Sequence, residues 1–139
     1  MILLTPDLRY ALRANAISSV AAQARDMRFD PVPVVKFFNP LGAGTWLATE
    51  LYSDADTMFG LADLGFGCPE MGTFSLMEIQ SVRLPFGLGI ERDLDFSTPH
   101  PLSRWSDMAR QTGSIIHAEQ LLRGLAPDTV PDLPADPIP

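Results

Sequence analysis

A chain of 139 residues has room for one domain of ordinary size, and 46% hydrophobic residues can cover a core, which excludes wholesale disorder. A formal charge of −7, from 17 acidic and 10 basic residues, opposes bulk binding to nucleic acid or to an anionic membrane. No apolar run reaches the ~18–20 residues that span a bilayer, and the single cysteine, Cys68, permits no internal disulfide.

The first residues, Met1 to Asp7, carry no basic region, and their apolar stretch is too short for a signal peptide. Together with the lack of disulfides, this places the expectation in the cytoplasm. Thr5-Pro6-Asp7 reads as a helix start: Thr5 caps, Pro6 suits the first helical position, and Asp7 suits the positive end of the dipole. Leu8, Leu12, Asn15/Ala16, Val20 and Ala24 recur near helical spacing, which predicts a helix from about Pro6 to Met27. Asp30-Pro31-Val32-Pro33 then forces extended chain.

Val34 to Phe38 is β-branched and aromatic, and Asn39-Pro40-Leu41-Gly42-Ala43-Gly44 has turn chemistry. Thr45 to Tyr52 resumes as a strand, Ser53 to Asp56 turns again, and Thr57 to Leu64 makes a third strand. The expectation is a three-stranded antiparallel meander. A turn centred near Gly42 sets Lys36 opposite or diagonal to Glu50, as a register-setting ion pair. Gly65 to Gly72 reads as a Gly-rich loop, with Thr73-Phe74 a short extra strand. Ser75-Leu76-Met77-Glu78 matches a capping box, predicting a helix from Leu76 to Val82.

Pro85 to Gly89 turns the chain, and Ile90 to Phe96 alternates as an edge strand or extended loop. Leu102 to about Gly124 reads as a second long helix, with Leu102, Trp105, Ala109, Ile116 and Leu121 in phase and Gly113 a candidate interruption. The fold class that follows is α+β: a small antiparallel sheet packed with an N-terminal and a C-terminal helix. The domain is placed at 1–125 and a Pro/Asp-rich extended tail at 126–139.

Several segments in order carry a likeness to a known family. They are Leu3 to Leu8, Val35 to Pro40, Thr45 to Glu50, Phe59 to Leu61, Gly72 to Leu76 and Gly87 to Asp93. Over residues 1 to about 105 the chain resembles the domain of unknown function 2958 family, small proteins encoded largely on conjugative plasmids, integrative elements and phages. The resemblance implies a setting, an accessory gene on mobile DNA, and carries no activity, cofactor or catalytic residue with it. The family pattern requires no cysteine in the loop of Cys68, which argues against a mechanism centred there.

The chemistry-bearing residues admit several readings. Cys68 with His100 or His117 has the types of a thiol nucleophile and base, but Pro69 removes the amide that would follow the nucleophile. Asp93 and Asp95 with Glu91, Asp63, Glu70 and His100 could gather round a divalent cation, yet a solvated acidic strand gives the same pattern. Gly65-Phe66-Gly67 lacks the spacing of a dinucleotide loop. Arg92 is read as pointing inward to a carboxylate such as Glu50.

Charge is the most distinctive feature. Between Lys36 and Arg83 there is no basic residue, while Glu50, Asp54, Asp56, Asp63, Glu70 and Glu78 are all acidic. Arg9, Arg13, Arg25, Arg28, Arg104, Arg110 and Arg123 belong to the two long helical segments. The leading expectation is therefore a non-enzymatic protein-interaction module without a cofactor. Its acidic sheet face, through Glu50, Asp54, Asp56, Asp63 and Glu70, or its tail, would bind a basic nucleic-acid-handling host factor, in one version to counter a host defence complex. One alternative is a small hydrolase or metal-dependent enzyme that joins the Cys68–Glu70 loop to the Glu91–Asp95 strand. Another is a nucleic-acid accessory that uses Arg9, Arg13, Arg25 and Arg28.

Overall fold

A computed structural model describes residues 1–126. Among these residues four α-helices accompany a five-stranded antiparallel sheet: α1 (Pro6–Ala24), β1 (Val35–Phe38), β2 (Thr45–Leu51), β3 (Thr57–Asp63), β4 (Glu70–Ser75), α2 (Leu76–Ser81), β5 (Glu91–Arg92), α3 (Leu102–Thr112) and α4 (Ile115–Arg123). The sheet order is β4-β3-β2-β1-β5, so the expected meander is its centre, widened by one strand at each edge. The tail placed at 126–139 lies, apart from Ala126, outside the described residues. Among the described residues, no helix is long and apolar enough to cross a membrane.

Alternation along the strands divides the core into two layers. Val35, Phe37, Ala48 and Met58 pack with Leu3, Leu4 and Leu12 of the N-terminal segment and α1, and with Leu76 and Ile79 of α2. On the other face, Leu47 and Leu61 meet Leu102, Trp105 and Ala109 of α3 and Ile115, Ala118 and Leu122 of α4. The sheet is thus covered on both sides, α1 and α2 on one and α3 and α4 on the other. Gly60 shows how closely β2 and β3 approach: a Cβ there would stand 1.8 Å from the Leu47 carbonyl oxygen.

The local start signals hold. Thr5 accepts from the Leu8 amide at 3.3 Å, and Ser75 accepts from the Glu78 amide at 3.1 Å. Helix α1 ends at Ala24, three residues before the expected Met27, and its stripe holds only as far as Ala16: Val20 and Ala24 face solvent. The second long helix is two. Gly113 in left-handed conformation (φ 82°) ends α3, and Ser114 caps α4 through the His117 amide at 2.9 Å. The break resets the phase, so Ile115 and Leu122 are buried where Ile116 and Leu121 were expected. Of Ile90 to Phe96 only Glu91 and Arg92 pair, with Phe38 and Phe37 of β1.

Both expected ion pairs with Glu50 are corrected. The β1–β2 turn sets Phe38 opposite Thr45, which puts Lys36 opposite Leu47, three residues before Glu50. The Lys36 ammonium meets Glu119 at 2.7 Å and Asp93 at 3.5 Å instead. Arg92, on the far edge strand, donates to the carbonyls of Ile2 (3.0 Å) and Leu3 (2.8 Å). Burial of Leu3 and Leu4 carries the N-terminal segment against the sheet, and the guanidinium supplies donors that its carbonyls would otherwise lack.

Candidate functional site: a cleft floored by Glu50

The carboxylates of the basic-free stretch do not form one acidic face. Asp63 is 1% exposed and accepts from the amides of Gly65 (2.8 Å) and Ile115 (2.9 Å), which fixes the start of α4 on the end of β3. Asp56 accepts from the Ser75 hydroxyl and the Met77 amide, both at 2.7 Å, and so secures the start of α2. Asp54 is exposed and organises its own turn by accepting from Thr57 and the Asp56 amide. The Thr57 hydroxyl, followed by these amides, holds its carboxyl below the usual range. Glu70 is exposed at the head of β4. Asp56 precedes β3 and Asp63 ends it, about 23 Å apart at strand rise. Backbone amides, not a basic partner, are what Asp56 and Asp63 satisfy.

The residues of the enzyme alternative are likewise separated. Glu70 is on β4 and Glu91 on β5, the two opposite edges of the sheet, four strand spacings or about 19 Å apart. Cys68 is exposed in a shallow hollow with Pro69, Glu70, Met71 and Arg110. Asp93, Asp95 and His100 do share a hollow, of about 390 Å³, with Glu119 and Trp105. There His100 is buried, with Nε2 3.1 Å from the Leu122 carbonyl oxygen. Among the described residues, no group of three or more His, Cys, Asp and Glu is placed to hold a metal ion. Of the helix arginines, Arg13 donates to the Leu51 carbonyl at 2.8 Å and Arg28 pairs with Asp30 at 3.7 Å.

Glu50 is different. The pairing of β2 with β3 slips between Ala48 and Glu50, leaving Thr49 as an extra residue and setting Glu50 opposite Phe59. The bulge is held from α1, where the Asn15 side-chain amide donates to the Thr49 carbonyl at 2.9 Å, and from β3, whose Phe59 carbonyl accepts from the Thr49 hydroxyl at 3.3 Å. The slip leaves Glu50 8% exposed beneath the C-terminal half of α1. Burial pushes its carboxyl above the ordinary carboxylate range, and a hydrogen bond from Ser19 opposes this only in part. Burial also raises the Tyr52 phenol, and the nearby Glu50 charge raises it further.

Two clefts share Glu50, Ser19, Gln23 and Tyr52. One, of about 320 Å³, opens toward Arg28, Asp30 and Ser103. The other, of about 580 Å³, runs along α1 past Arg13, Ala16, Ile17 and Val20. Its outer rim is apolar and in water: Ile17 is 60% exposed and Val20 67%, with Tyr10 at 78% two turns before Ile17. Ser19, Gln23, Tyr52 and this rim were missed in the sequence. The signal was present, since Tyr10, Ala14, Ile17 and Ala21 form a second helical stripe opposite the one that was read.

Residues 3–116 match the family described as Protein of unknown function (DUF2958), and the chain belongs to that family. No curated protein and no solved structure matches it.

Proposed function

We propose that this member of the DUF2958 family is a non-enzymatic protein-interaction module whose docking face is the outer side of α1 with Tyr52. One observation carries the reading: a helix already packed on the core through Leu12 and Ala16 presents further large apolar side chains, Tyr10, Ile17 and Val20, to water. A contiguous exposed apolar surface with a polar surround is the usual mark of a protein contact. The net charge of −7 favours a basic partner. A nucleic-acid-handling host factor fits that chemistry and the mobile-DNA setting implied by the sequence likeness. Charge reversal at Asp56 or Asp63 is a poor probe of the reading, because both carboxylates hold helix starts.

The test is a pair of substitutions on the exposed rim, Ile17→Asp and Val20→Asp. Each side chain is mostly in water, so folding stability should change by no more than about 0.5 kcal/mol. A partner captured from the native host by the unmodified chain and identified by mass spectrometry should be lost by both variants. If both retain it at full strength, α1 is not the docking face.

A further inference from the structure

We infer that the cleft floored by Glu50 receives a lysine or arginine side chain of the docking partner; this rests on the reading of α1 as the docking face. The argument begins with how other carboxylates removed from solvent are satisfied. Glu119 has Lys36 at 2.7 Å and Arg123 at 3.5 Å. Asp63 has two backbone amides, and Asp30 has the Ser103 amide and hydroxyl with Arg28 beside it. Glu50 has the Ser19 hydroxyl. Among the described residues no cation is paired with it, and the two arginines that line its clefts are turned elsewhere, Arg13 to Leu51 and Arg28 to Asp30.

A carboxylate taken out of water without a cation is costly, and a cation arriving beside it offsets part of that cost. The shape of the larger cleft suits such a guest. Ala16, Ile17, Val20 and Ala21 form an apolar wall for a methylene stem, while Glu50, Ser19 and Gln23 present acceptors for a charged head. The cleft opens beside the exposed rim, so a partner seated on Ile17 and Val20 can deliver the side chain without a change in the backbone. The rim supplies contact area, and Glu50 selects for a base at one position.

The experiment has two arms, both on the 139-residue chain. In the first, n-butylguanidinium, a free stand-in for the side chain, is titrated at millimolar concentrations while amide and side-chain resonances are followed by NMR. Saturable shifts are expected at Ser19, Gln23, Glu50 and Tyr52, with none from n-pentanol and at least tenfold weaker binding to the Glu50→Gln variant. No shift at these residues, equal shifts from n-pentanol, or equal binding to the variant overturns the inference. In the second arm, the captured partner is measured against Glu50→Gln and Ile17→Asp. Loss with Ile17→Asp and at least tenfold weakening with Glu50→Gln supports both claims. Loss with Ile17→Asp alone overturns the basic guest and leaves the docking face standing, and full binding by both variants overturns the two together.

Discussion

Carboxylates in this chain differ by what they accept. Asp63 and Asp56 take backbone amides and Glu119 takes a lysine, whereas the burial of Glu50 is offset only in part, by Ser19. Tyr52 reports on that last environment, because the charge on Glu50 opposes formation of a phenolate nearby. In the Glu50→Gln variant the Tyr52 phenol should titrate at lower pH, though still above an exposed tyrosine because burial is the larger cause. Tyrosinate absorbance on a Tyr10→Phe background checks this. At this scale the sequence was legible where chemistry is local. Thr5 and Ser75 cap their helices through amides three residues on, and both were readable from the neighbouring sequence alone. Lys36 and Arg92 were not, because their partners lie 83 and 89 to 90 residues distant and depend on turn register and sheet order.

At the scale of elements, the joint between β3 and α4 depends on Asp63. Its carboxylate spans Gly65 at the strand end and Ile115 at the helix start, inside the layer that buries Leu61 and Leu122. Asp63→Ala leaves the Ile115 amide buried without an acceptor, and a loss of about 2 kcal/mol is expected by denaturant unfolding. The meander was legible because Asn39 to Gly44 and Ser53 to Asp56 are turns by local chemistry. The bulge at Thr49 was not, since neither β2 nor β3 marks it, and it is the bulge that turns Glu50 toward Phe59. The α3–α4 break was half legible. Gly113 was a visible candidate, but the new phase of α4 follows from where Ser114 caps it, which shifts burial from Ile116 to Ile115.

For the whole molecule, a covered sheet and a net charge of −7 left the function underdetermined in the sequence. The acidic stretch read as one face because its carboxylates are consecutive in the chain. Folding spreads them to both ends of β3 and buries two of them. What survives is the pair of clefts over Glu50, whose raised carboxyl is expected to weaken the fold when ionised and which we assign to a basic guest. The sign is fixed by the direction of the pKa shift: a carboxyl raised in the folded state penalises folding once pH passes its unfolded value of 4.5, fully so above its folded value. Tyr52 is uncharged throughout that range, and Arg13, Arg28 and Asp30 line the same clefts with partners of their own.

The most direct measurement is the unfolding free energy of the unmodified chain and of Glu50→Gln, by denaturant titration from pH 3.5 to 8. The variant should be the more stable of the two at pH 7, with the gap closing as pH falls through the raised folded value of Glu50 and gone below 4.5. A variant that is less stable at pH 7, or a gap that does not change with pH, would mean that Glu50 is already satisfied within the fold and awaits no partner.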